Sequence, residues 1–112
     1  MKSRGLVGLD LDGTLVEYYY WKGHGNIGKA LPGAIEFIEK LKQEGYTPVV
    51  CTARDELESV VKGLREQDFP PIRVTNTKLP FVLLIDDRVH RFDGDYSKAW
   101  EAVINHKAWW EK

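Results

Sequence analysis

The chain has 112 residues, 43% of them hydrophobic and 29% charged, enough for one domain with one core and too short for two. Sixteen basic against seventeen acidic side chains leave a formal net charge of −1, so no overall basic field draws the protein to nucleic acid or anionic lipid. The single cysteine, Cys51, excludes an intramolecular disulfide and fits a reducing cytosol, and no apolar run is long enough to cross a bilayer, so a soluble, cytoplasmic protein is expected.

Leu6-Val7-Gly8-Leu9 is a short apolar run that stops at a cluster of Asp, Gly and Thr, which reads as a buried strand followed by a tight loop. Glu17 to Ala30 carries Tyr18-Tyr19-Tyr20-Trp21 and then Gly23, Gly25 and Gly28. That is too much glycine for a helix, and an irregular loop or small hairpin is expected, a flap-like insertion over residues 17–31. From Pro32 to Glu44 the spacing of Ala34, Ile38 and Leu41 gives a helical apolar stripe, with Pro in the first turn and Gly45 at the stop. Thr47 to Cys51 reads as a second buried strand, and Asp55 with Glu58 reads as a capping box for a helix carrying Leu57, Val60, Val61 and Leu64.

Ile72-Arg73-Val74 is expected as a third, short strand and Phe81 to Ile85 as a fourth, ending in Asp86-Asp87. A last helix is expected from near Tyr96 to about His106, with Trp100, Val103 and Ile104 facing inward. Strands that are apolar throughout and alternate with helices predict an α/β fold, a three-layer Rossmann-like parallel sheet with helices on both faces.

In such sheets ligands bind at the carboxyl ends of the strands. That rule gathers the polar residues: Asp10 and Asp12 after the first strand, Thr52, Ala53 and Arg54 after the second, Lys78 after the third, Asp86 and Asp87 after the fourth. Crowded carboxylates need a cation, and hard oxygen donors suit Mg²⁺, which also takes a substrate phosphate oxygen. The Thr52 hydroxyl, loop amides near Ala53, and Lys78 are the expected donors to the other phosphate oxygens. Arg54 and Arg88 are weaker candidates, as suited to a surface ion pair as to a substrate contact. Cys51, behind Val49 and Val50, reads as a buried small residue rather than a nucleophile.

Asp10-Leu11-Asp12-Gly13-Thr14, an apolar strand ending in Thr52, then Lys78, then Asp86-Asp87 resembles, motif by motif and in chain order, the haloacid dehalogenase-like superfamily of aspartate-nucleophile hydrolases. The resemblance spans residues 6 to 88, and the segment from Val74 through Asp95 looks like that of small uncapped members found in bacteria and phages. It implies that Asp10 attacks phosphorus to give an aspartyl-phosphate. It makes Asp12 the acid and then the base, with its backbone carbonyl a metal ligand. Thr52 and Lys78 would bind the phosphoryl group, and Asp86 and Asp87 would hold Mg²⁺ with Asp10. Gly13 lets the loop turn and Thr14 can tie it.

In the family's strand order the chain must cross from the third strand to the fourth over about 14 Å, three inter-strand spacings. The seven residues from Thr75 to Phe81 can span about 25 Å at most, enough for the crossing but not for a helix. Neither position where the family inserts a cap domain has room for one, which implies an open site suited to bulky phosphoesters, such as nucleotides or nucleic-acid ends, or a lid from a partner subunit. Tyr18, Tyr19, Tyr20 and Trp21 beside Lys22 and Lys29 are suited to stacking on a base, but such aromatics more often pack a flap against the body, and that is the expected role. Trp109 and Trp110 suit covering of the core edge or self-association, and His24, His90 and His106 are too dispersed to predict a metal site. A monomer or homodimer is expected. The competing readings are a receiver-like phospho-acceptor module, whose acceptor would follow the third strand where Thr75 and Asn76 stand, and a non-catalytic binding protein of the same fold.

Overall fold

The computed structural model describes residues 2–18 and 26–111. Strand β1 (Leu6–Leu9) leads through the insertion to helix α1 (Ala34–Gln43), strand β2 (Thr47–Cys51), helix α2 (Leu57–Glu66), strand β3 (Arg73–Thr75), strand β4 (Phe81–Ile85) and helix α3 (Tyr96–Ile104). The four strands form one parallel sheet in the order β3-β2-β1-β4. This is the expected α/β, Rossmann-like arrangement, and the link from β3 to β4 crosses the whole sheet without a helix, as its length dictated.

The chain steps from β1 to β2 to β3 in one direction across the sheet, so right-handed crossovers put α1 and α2 on the same face. The core forms there. Val7 and Leu9 point to that face one pleat apart, Val50 lies in register beside Leu9, and Ile38 from α1 with Val60 and Leu64 from α2 close over them. Leu11, Leu15 and Val16 extend this core beneath the insertion, whose base is a short antiparallel pairing of Val16 with Ala30. Gln67 at the end of α2 fastens that base by accepting from the Ala30 amide at 2.7 Å and donating to the Gly28 carbonyl at 2.8 Å. Tyr19, Tyr20, Trp21 and Lys22, suited in sequence to stacking on a base or to packing, and His24 lie outside the described residues.

Two local expectations need correction. The third strand starts one residue later than its apolar residues suggested, because Arg73 to Thr75 is the part that finds partners on β2. Helix α2 has no side-chain cap from Asp55, and its first residue is preceded by Glu56. The side-chain cap occurs instead on α3, where the Asp95 carboxylate accepts from the Ser97 and Lys98 amides.

Helix α3 departs most from expectation. Trp100, Val103 and Ile104 do not face inward, and no residue of α3 is buried. Among the described residues α3 brings no Cα within 8 Å of a strand or another helix. The second helical layer is therefore detached, and the radius of gyration, 14.8 Å, exceeds the roughly 13 Å of a compact chain of this length. No helix among the described residues is long and apolar enough to cross a membrane.

Candidate functional site

The carboxyl ends of β1 and β4 are adjacent, joined by the Asp10 amide donating to the Ile85 carbonyl at 2.8 Å. That adjacency brings Asp10, Asp86 and Asp87 together, with one oxygen of each within 4.8 Å of the others. Hard oxygen donors at this spacing can hold a metal ion, although the donor set does not by itself distinguish Mg²⁺ from other divalent cations. The loop after β1 turns tightly because the Leu11 carbonyl accepts from the amides of Thr14, Leu15 and Val16. The Thr14 hydroxyl reaches back to Asp10 Oδ2 at 3.4 Å. Gly13 is required twice over: its φ is +85°, and a Cβ there would collide with the Asp87 carboxylate and the Trp110 indole.

Electrostatics agree with a site short of positive charge. The Asp10 carboxyl is pushed up to about 8, first by burial, then by its hydrogen bond to Asp87 and by the charges of Asp86 and Asp87. Asp86 is raised as well, again chiefly by burial, against the lowering effect of the Arg88 amide that donates to its Oδ1 at 2.9 Å. With Asp10 and Asp86 both disfavoured as charged groups beside a third carboxyl, the cluster suits a divalent cation, which would compete with their protons. Cys51 stands within reach of the same charges, and burial followed by Asp10 and Asp86 pushes its thiol up, so it behaves as the inert residue its strand position suggested.

A cleft of about 440 Å³ opens beside the triad, lined by Asp10, Asp12, Asp86, Ala53, Arg54 and Arg88, with Tyr18 and Asp55 completing its wall. Asp12 does not join the three clustered carboxylates. Its two oxygens accept from Arg54 Nε and Nη2, both at 2.8 Å, in a bidentate pair whose guanidinium is almost fully buried. Arg54, the weaker candidate in the sequence, is thus a built part of the site. Thr52 is buried behind it, its hydroxyl accepting from the Arg54 amide at 3.2 Å and shaping the Thr52–Arg54 turn, while Ala53 is the residue of that turn that meets the cleft with Arg54.

Lys78 is not brought to the carboxylates. It is exposed on the β3–β4 link, does not line the cleft, and is not among the charges acting on Asp10. The link bends at Asn76 and Thr77 and forms no helix, and the cations lining the cleft are Arg54 and Arg88. His90 and His106 are exposed and stand apart from the cluster.

Two tryptophans expected to cover the core edge or to self-associate complete the site instead. The Trp109 indole donates to the Gly13 carbonyl at 2.7 Å, and the Trp110 indole donates to Asp87 Oδ2. Trp110 also meets Tyr18 edge to face at 5.2 Å, and the Arg88 guanidinium lies 5.1 Å above its ring. Adjacent tryptophans at the end of a helical arm were the available signal, but nothing local says what they reach.

No protein-family model and no curated protein matches this chain. A solved structure, described as that of a conserved protein from Bacteroides thetaiotaomicron, superposes with a TM-score of 0.62 at 24% identity, over 96% of this chain and 95% of that one. The likeness establishes the fold.

Proposed function

We propose that this protein is a Mg²⁺-dependent phosphomonoester hydrolase of the haloacid dehalogenase-like type, working through an aspartyl-phosphate on Asp10. The observation that carries the reading is the meeting of Asp10, Asp86 and Asp87 at the shared end of β1 and β4, beside an open cleft lined by two arginines. Mg²⁺ bound by these carboxylates would neutralise them and a phosphate oxygen together.

Asp10, ionised once its neighbours' charge is compensated, supplies the attacking oxygen. The phosphorus–oxygen bond to the leaving group breaks as the carboxylate–phosphorus bond forms. Arg54 and Arg88 flank the cleft where Lys78 was expected, and their guanidinium groups suit the transferring oxygens. Asp12 must first take up a proton from solvent; it then gives that proton to the leaving oxygen and later takes one from the water that cleaves the intermediate. Arg54 must release one of its two bonds to Asp12 for that exchange, so its clamp sets the position from which Asp12 acts. The open cleft suits a phosphoester on a larger body, such as a nucleotide or a nucleic-acid end.

Two features favour a second reading, a metal- and phosphate-binding protein without turnover: Lys78 stands outside, and Asp12 is held by Arg54. Incubation with an aryl phosphate and with acetyl phosphate separates the possibilities. Magnesium-dependent release of phosphate that Asp10→Asn abolishes supports the hydrolase. A stable phosphoprotein without turnover indicates a phospho-acceptor module, and metal binding with neither outcome indicates a binding protein.

A further inference from the structure

Within α3, Tyr96, Trp100, Val103 and Ile104 recur at the four- and three-residue spacings of a single helical stripe. Such a stripe normally faces a sheet. Here each of the four is more than half exposed, Tyr96 at 80% and Trp100 at 63%. In the sheet β4 is an edge strand, and its Val82 and Leu83 are 60% and 59% exposed. The strand from Phe81 to Ile85 holds no charge or proline, and its pairing with β1 shifts register at Val82. Among the described residues the chain therefore carries a helix without a sheet and a sheet edge without a helix, and the two do not meet.

We propose that two copies of this chain form a two-fold dimer in which the α3 stripe of each covers β4 of the other. The reciprocal contact restores to each sheet the helical cover that its own chain leaves off, which a foreign partner would have to supply twice in different forms. With Val89 and Phe92 on the arm leading to α3 also exposed, the apolar side chains offer roughly 800 Å² or more per copy, the amount a stable interface of standard size uses. The α3 stripe by itself is an apolar helical face of the kind that a monomer seldom leaves open. The formal charge of −1 gives two copies little reason to repel. Both ends of the arm are fixed, at Asp86 and Asp87 by β4 and at Trp109 and Trp110 by their bonds to Gly13 and Asp87, so it is held out as a defined projection.

Sedimentation equilibrium of the full chain between micromolar and hundred-micromolar concentration tests this. A species of twice the 12.9 kDa chain mass is expected. Trp100→Glu and Leu83→Glu should each raise the dimer dissociation constant about thirtyfold or more. Both positions are exposed in the single chain, so the far-UV spectrum and thermal transition of dilute protein should not change. An equimolar mixture of the two variants should regain dimer in part, because the helix of one and the strand of the other remain intact. A chain mass of 12.9 kDa at every concentration overturns the proposal, whatever else the surface meets. So does a dimer that Leu83→Glu leaves intact, which would join α3 to α3, or a mixture that stays monomeric.

Discussion

The half of the molecule built on β1, β2 and β3 and the half built on β4 and α3 are made of similar residues and end differently. In the first, Val7, Leu9, Val50, Ile38 and Val60 are closed off from water by two helices on one face. In the second, Val82, Leu83, Trp100 and Ile104 are just as apolar and remain open. The difference teaches that an apolar stripe gives a helix its periodicity but not its partner. The candidate site lies on the seam: Asp10 comes from the packed half, Asp86 and Asp87 from the start of the open one, and Trp110 ties the end of the arm back to them.

The largest effect should come from Asp10, the clustered carboxylate rooted in the packed half. Asp10→Asn is expected to lower turnover of an aryl phosphate by a factor of about 10³ or more, on the order of 4 kcal/mol of barrier. The variant should fold, because removing a carboxylate from this cluster relieves repulsion, and a thermal transition no lower than that of the parent checks this.

Next comes the packing contrast itself. Ile38→Ala should cost about 2–5 kcal/mol in denaturant unfolding, since the side chain is fully enclosed. Trp100→Ala, measured in dilute protein, should cost within roughly 0.5 kcal/mol, as a surface change does. Equal losses at the two positions would mean that α3 packs within its own chain. Amide exchange sharpens the same point, with α3 exchanging well before β1 and β2.

A pH series addresses the seam. Because the folded protein holds the Asp10 carboxyl at about 8 against 3.8 ordinarily, the folded state keeps a proton that the unfolded chain has released. Stability of the metal-free protein should therefore be complete below about pH 4 for this group and be lost as pH rises toward about 8. The raised Asp86 adds in the same direction. Millimolar Mg²⁺ should flatten that decline in the thermal transition and should bind more weakly as pH falls, because cation and proton compete for the same oxygens. The smallest effect is expected of Trp110→Phe, which removes the indole donor from Asp87 while keeping an aromatic ring. Calorimetric titration should show Mg²⁺ affinity reduced by about threefold to tenfold, on the order of 1 kcal/mol.

Much of this was legible in one dimension. The unbroken apolar runs of β1, β2 and β4 and the period of α1 came through because strands and helices impress their own spacing on the chain. The turn at Gly13 and the aspartates that follow β1 and β4 were marked by residues that stop a buried strand. Lys78 stands on the link after β3 as its place in the chain indicates, but it is exposed there and off the cleft wall, which the spacing of residues 76–80 does not reveal. Helix α3 was placed in the core because its stripe is indistinguishable, residue by residue, from one that is buried.

By itself, then, the sequence determined the α/β class, the order of the elements and the identity of the carboxylates at the strand ends, all properties of local spacing. Only the tertiary structure decided that Arg54 clamps Asp12 across 42 positions, that Trp109 reaches Gly13 across 96, and that Asp10, Asp86 and Asp87 share one point in space. Such pairings depend on how the sheet closes and which loops it leaves side by side, and no pattern of neighbours along the chain encodes that distance.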